Sequence, residues 1–374
     1  MKLPIRIGIL IIAIAVVVAG CQERRVSPTA SAPVTAPPPS AQLDPEVAEL
    51  MALLDHSSTP SASKGEMPEA AVINIRQHSY QPVGRDTDPS VDASGERMVF
   101  ATTAHSRHSD IYMKSVDGRA VTQLTTEPDN EIQPALSPDG SRLAFASDRG
   151  GHWNIYIMAV DGKSISKITR GGGENLHPSW SPDGTRLVYC CHSHRSGQWE
   201  LWMVDLSQSS AREFLGYGLF PEWSPSEDVI AYQRPRGRGE RLYGIWTTRL
   251  ANGEPQSPTL VASSEELAYV CPTFSRDGRQ LAFTAVTPSM KTASTDIYCV
   301  GVNGNNLQCL TRGPGRKYSP YWAGDRIYFS YDHEGAENIW SVQANATPRV
   351  AAAPQIQSTD MDVVAVQEPI VPQD

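Results

Sequence analysis

Short apolar runs, each ending in an aromatic ring and bracketed by turn residues, recur along the middle of the chain. The rings are Phe100, Phe145, Tyr189, Tyr232, Phe283 and Phe329. Runs this short, rich in β-branched and aromatic residues and separated by Gly/Pro/Asn/Asp clusters, predict strands rather than helices. A Pro-centred opening stands ahead of each run: Asp88-Pro89-Ser90, Pro134-Ala135-Leu136, Pro178-Ser179-Trp180, Pro221-Glu222-Trp223, Pro272-Thr273-Phe274 and Pro320-Tyr321-Trp322. After each run comes a polar residue, or once a glycine, followed by two bulky ones: Asp110-Ile111-Tyr112, Asn154-Ile155-Tyr156, Glu200-Leu201-Trp202, Gly244-Ile245-Trp246, Asp296-Ile297-Tyr298 and Asn338-Ile339-Trp340. Most copies then carry a turn pair and a closing strand, as in Asp161-Gly162 before Ile165 to Thr169 and Asn303-Gly304 before Leu307 to Thr311.

The unit therefore holds four short strands and repeats six times with a period of 43 to 51 residues. Ser-Pro-Asp-Gly presets a tight turn, because Pro fixes φ, Asp bonds to the nearby backbone and Gly accepts positive φ. Four-stranded antiparallel units with an apolar face on each side cannot stand alone. Arranged around an axis they bury both faces and close on themselves. The predicted fold is all-β, a six-bladed β-propeller over residues 71–350. Val72-Ile73-Asn74-Ile75 is expected to close the ring by adding to the sixth blade, so that the two ends hold each other.

The repeats resemble the Pro-x-Trp-Ser-Pro-Asp-Gly and Asp-Ile-Tyr pattern of the TolB propeller family over about residues 72–350, most closely in the second, third and fifth copies. Repeat four departs with Ser226-Glu227 in place of Asp-Gly, and repeat six shortens its turn to Ala323-Gly324-Asp325. TolB itself carries an α/β domain before its propeller, whereas a tether precedes it here. The resemblance implies a binding scaffold in the bacterial envelope, with a protein or peptide partner such as a peptidoglycan-associated lipoprotein.

Residues 1–20 set the compartment. Lys2 and Arg6 precede an apolar run, Ile9 to Val18, of signal-peptide length. It ends in Val18-Ala19-Gly20-Cys21, which resembles the lipobox of bacterial lipoproteins, so Cys21 is the expected lipidation site and the membrane is reached through acyl chains. Gln22 rather than Asp after that cysteine points to the outer membrane by the same resemblance. Residues 21–70 are rich in Ser, Ala and Pro and read as a disordered tether. A short amphipathic helix is expected at 44–56, on Val47, Leu50, Met51 and Leu54. Residues 351–374 read as disordered. The net charge of −9 and the lack of a basic run set nucleic acid aside.

Propeller topology predicts that the loops between second and third strands share one face with the connections between blades, while the Ser-Pro-Asp-Gly turns occupy the other and are structural. The loop face gathers His105, His108, Arg149, His152, His177, His192, His194, Arg195, Arg236 and His333, a candidate surface for an anionic or peptide ligand. His105, His152, His177, His192, His194 and His333 are expected, partly exposed, around one opening of the channel or its rim. A different class of reading uses the same face for a histidine-held metal in an enzyme of the polysaccharide-lyase kind. No nucleophile elbow, His-Glu-x-x-His pair or phosphate loop occurs, so a non-enzymatic monomer without cofactor is the leading expectation. Five cysteines follow Cys21: Cys190, Cys191, Cys271, Cys299 and Cys309. The last two lie on the arms of one predicted hairpin, where a bridge is conceivable if the register allows it.

Overall fold

The computed structural model describes residues 75–344, apart from 171–172, 208–211, 238–241, 288–294 and 334. The leader at 1–20, the Cys21 site, the tether at 21–70 with its helix at 44–56, and segment 351–374 lie outside the described residues. Every regular element among the described residues is a strand, and no helix there is long and apolar enough to cross a membrane. The first blade shows the plan: Asp86–Val91 innermost, then Arg97–Thr102, Asp110–Ser115 and Val121–Gln123, each antiparallel to the last. Five further blades begin with Glu131–Leu136, Glu174–Trp180, Leu219–Trp223, Ala268–Phe274 and Arg316–Ala323.

The sequence periodicity maps directly onto this packing. The six run-ending aromatics all lie in second strands and are at most 3% exposed, each filling the space between neighbouring blades. Adjacent blades are also tied at their turns. Arg142 stacks on Trp180 of the next blade, 4.6 Å from the ring centre, and donates to the Gly184 carbonyl at 2.6 Å. Arg186 repeats this on Trp223, at 4.8 Å, and bonds Asp228 at 2.9 Å. The Trp of the Pro-x-Trp opening is thus a platform for the preceding blade's arginine.

The third strand is tied to the fourth by one recurring contact. A Thr hydroxyl accepts the amide that follows the polar residue: Ile111 to Thr125 at 2.8 Å, Ile155 to Thr169 at 3.0 Å and Ile297 to Thr311 at 2.9 Å. Thr169 and Thr311 donate in turn to Asn154 and Asp296. In blade six this place is taken from the other end of the chain. Ser79 accepts the Ile339 amide at 2.9 Å and donates to Asn338 at 3.2 Å, while Arg76 and Gln77 pair with Ser341 and Trp340. The ring is therefore closed by the N-terminal segment, as expected, but through Arg76–Gln77 and the Ser79 clasp. Val72 to Asn74 lie outside the described residues.

All five cysteines at 190, 191, 271, 299 and 309 are free. Cys299 faces Gln308 and Cys309 faces Tyr298, an offset of one residue that turns the two thiols to opposite sides of the hairpin. That register answers the question left open by the sequence.

Candidate functional site

Each innermost strand is interrupted midway by the residue before its proline. Register shifts there in all six blades, and Asp88, Gln133, His177, Phe220, Cys271 and Ser319 adopt φ between 49° and 54°. Left-handed backbone is costly for residues with a side chain. Here it recurs at equivalent positions because the bulge turns six side chains and six prolines toward the axis. The result is a collar around a space of about 110 Å³. Gln133 donates its amide to His177 Nε2 at 3.0 Å and accepts the His177 backbone amide at 2.9 Å, so Nε2 carries no proton. The ring packs on Phe220, 3.7 Å between centres, and burial lowers the His177 pKa to about 3. Burial raises the carboxyls of Asp88 and Glu222, the latter to about 7.

On the turn side the channel widens into a funnel of about 320 Å³. Its wall carries Trp180, Trp223, Trp322 and Phe274, with Glu222 and Tyr321 between the collar and the funnel. Its mouth is framed by the turns themselves, through Ala93, Pro138, Pro182, Pro225, Arg276 and Gly324. The expectation of a purely structural turn face is corrected by this geometry. The second residue of each turn looks toward the axis, so the turns that hold the hairpins also build the larger opening.

The predicted histidine face is only partly assembled. His105, His108, His152, His194 and Arg195 are exposed, whereas His192 is 8% exposed and packs on Trp199. His177 sits in the collar, not on the rim, because it precedes Pro178 in an innermost strand. His105 and His333 each rest on an aromatic ring of their own blade, Tyr112 and Trp340. Arg149 is held by the buried Glu131 at 3.1 Å and lies over Tyr156, and Arg236 is half-buried. Arg149 is therefore part of a buried contact, so removing it would cost stability. One cluster spans two blades. His152 Nδ1 meets Glu174 at 2.9 Å and its ring stands 6.1 Å from that of His194. Among the described residues no three His, Cys, Asp or Glu side chains converge to hold a metal. Cys190 and Cys191 are buried core residues, with pKa values pushed up by desolvation.

Known proteins agree with this architecture. The family model described as the TolB beta propeller domain matches residues 70–254. Residues 70–254 are thus similar to the TolB β-propeller domain, and the described residues form a six-bladed β-propeller. Over 103 residues the chain is 29% identical to a TolB homolog of Chlorobium luteolum, a match covering 27% of this chain and only 22% of that relative. Among solved structures, TolB from Agrobacterium tumefaciens aligns with a TM-score of 0.53 at 16% identity, over 72% of this chain and 96% of its own. Oligogalacturonate lyase from Vibrio parahaemolyticus aligns at 0.50 and 11% identity, over 73% and 95%. At these identities the structural likeness is one of fold.

The TolB-type repeat itself marks the funnel residues that composition did not. Between Pro and the bulky residue the repeat has Ser90, Ala135, Ser179 and Thr273, but Glu222 and Tyr321 in blades four and six. Ser90, Ser179 and Thr273 accept backbone amides of the neighbouring blade at 2.9–3.2 Å. Glu222 and Tyr321 are too large for that task and project into the channel. Arg276 stands where three other turns have proline.

Proposed function

We propose that this protein is a lipid-anchored lipoprotein of the bacterial envelope, periplasm-facing and held in the outer membrane through Cys21. Its propeller is a monomeric binding scaffold with no catalysis of its own. A segment of another envelope protein, for which a peptidoglycan-associated lipoprotein is the first candidate, enters the funnel on the turn face. The observation that carries this reading is the 320 Å³ cavity, with aromatic walls, one carboxyl on its floor and one guanidinium at its mouth. Concave sites that join aromatic walls to fixed polar groups are what binding sites are made of. The loop face is the alternative surface, favoured by the His152–Glu174–His194 cluster. The metal-dependent lyase reading needs a third ligand beside that pair.

The test compares the two faces in one assay. Ala93 is exposed on the funnel mouth, so Ala93→Trp fills the opening without touching the core. Envelope crosslinking followed by recovery of the protein should lose its partner in Ala93→Trp and retain it in a His105→Ala, His194→Ala double variant, with melting unchanged in both. The reverse pattern would move binding to the loop face and overturn the funnel reading.

A further inference from the structure

Three features meet at the funnel mouth. The first is a cation in a place that the repeat reserves for small or cyclic residues. Arg276 leaves the fifth blade's turn and donates Nη1 to the Ala93 carbonyl of the first blade at 2.6 Å. The turn of blade six, which stands between these two blades, contributes only Ala323 and Gly324 to the funnel. The guanidinium is exposed, and no carboxylate pairs with it among the described residues. Of the other charged residues on the funnel, Asp92 is already engaged by Arg97 at 2.9 Å and Glu222 lies at the floor. The mouth therefore presents one positive charge, held by a neutral acceptor that a carboxylate can displace with two charge-assisted bonds.

The second is where the chain leaves the propeller. Ala344, the last described residue, donates its amide to the Asp325 carbonyl at 2.9 Å. Asp325 adjoins Gly324, which lines the funnel. Ala344 is thus bonded beside one of the turns that line the funnel. The third is the composition of that onward chain. Residues 350–374 contain Asp360, Asp362, Glu368 and Asp374 and no Lys, Arg or His. The acids at 360 and 362 flank and precede an apolar run, Met361 and Val363 to Val366.

We infer that the segment after residue 350 docks in the funnel of its own propeller, with Asp360 or Asp362 on Arg276 and the adjoining valines between the aromatic walls. Reach is no obstacle, since the 16 residues from Ala344 to Asp360 span up to about 50 Å when extended. Tethering beside a funnel turn gives an effective concentration on the order of millimolar, so weak contacts suffice. The inference rests on the funnel being a binding cavity, and it makes the segment a competitor of the partner.

The test uses the full chain, purified, with a benzophenone amino acid in place of Ala93. Illumination should crosslink position 93 to residues 355–368 of the same molecule, with a yield independent of protein concentration. Arg276→Ala should lower that yield at least tenfold, and Arg276→Glu should abolish it. Combining Arg276→Glu with Asp360→Lys and Asp362→Lys should restore it. Tryptophan fluorescence and melting of each variant report folding separately. No crosslink to this segment, a yield unchanged by Arg276→Ala, or a crosslink only between molecules would overturn the inference. Loss of the crosslink while Ala93→Trp still blocks partner recovery would leave the scaffold reading standing and remove only this one.

Discussion

Replacing Asn338 by alanine should unclasp the ring. The Asn338 side chain is 4% exposed and makes three bonds across the seam. Its Oδ1 accepts Ser79 Oγ at 3.2 Å and the Gln81 amide at 2.7 Å, and its Nδ2 donates to the Gln81 carbonyl at 3.1 Å. At about 1 kcal/mol for each net hydrogen bond, the loss is about 3 kcal/mol. The pairing of Arg76 and Gln77, the His78 and Ser79 amides on the Ile339 carbonyl, the Ile339 amide on Ser79 Oγ and the bond between His78 Nε2 and Ser341 Oγ then hold the closing segment. Since 1.4 kcal/mol is tenfold, exchange of those amides should quicken by about a hundredfold. Hydrogen exchange resolved at residues 76–81 is the assay, with amides of the Phe145 strand as an internal standard. Unchanged exchange at the seam would refute the claim that Ser79 stands in for the threonine of the other blades. A rise that is equal everywhere would mean that Asn338 supports the whole fold and not the closure.

Three more outcomes follow from the same contacts. Arg186→Ala should cost about 1–2 kcal/mol in urea unfolding by losing both the Trp223 stack and Asp228, and Arg186→Lys should recover only part, because ammonium keeps the charge without the planar stack. Burial holds His78 at about 4 against an ordinary 6.5, with Arg76, Lys114 and Arg326 adding repulsion and Val116 O opposing it; Asp86 and Asp117 face Lys114. The unfolded chain therefore binds the proton first, and stability falls as pH drops from 6.5 toward 4. The pH-dependent difference between wild type and His78→Gln should change by about 3 kcal/mol over that window, and a flat difference would refute it. Cys21→Ser should prevent incorporation of a palmitate analogue and release the protein from membranes; labelling that persists would remove the anchor from Cys21.

The architecture was legible because its determinants are local and repeated. Phe100 and its five counterparts, the Asp-Gly turns and the Pro-x-Trp openings each act within one hairpin or between adjacent blades. The closing segment was legible in kind, but its described pairing lies just beyond Ile75, at Arg76 and Gln77, and Gln77-His78-Ser79 carries the contact with a histidine and a serine where blades one, two and five use leucine or isoleucine and threonine. The histidine face was read by loop membership alone. That criterion cannot separate His177, turned inward by the bulge before Pro178, from His105, which stays on the surface. The collar depends on backbone conformation, and residues as different as Asp88, Phe220 and Cys271 share it, so no side-chain pattern announces it. Glu222 and Arg276 were visible as departures from the repeat, yet their meaning depends on six turns converging on one axis.

Binding through the funnel is the claim on which the functional account depends, and photocrosslinking in living cells tests it directly. A crosslinking amino acid is placed in turn at Pro182 on the funnel rim and at His194 on the loop face, and the adducts are recovered from the envelope and identified. The account predicts one discrete envelope protein joined from position 182 and none from position 194. The same protein joined only from position 194 would contradict it.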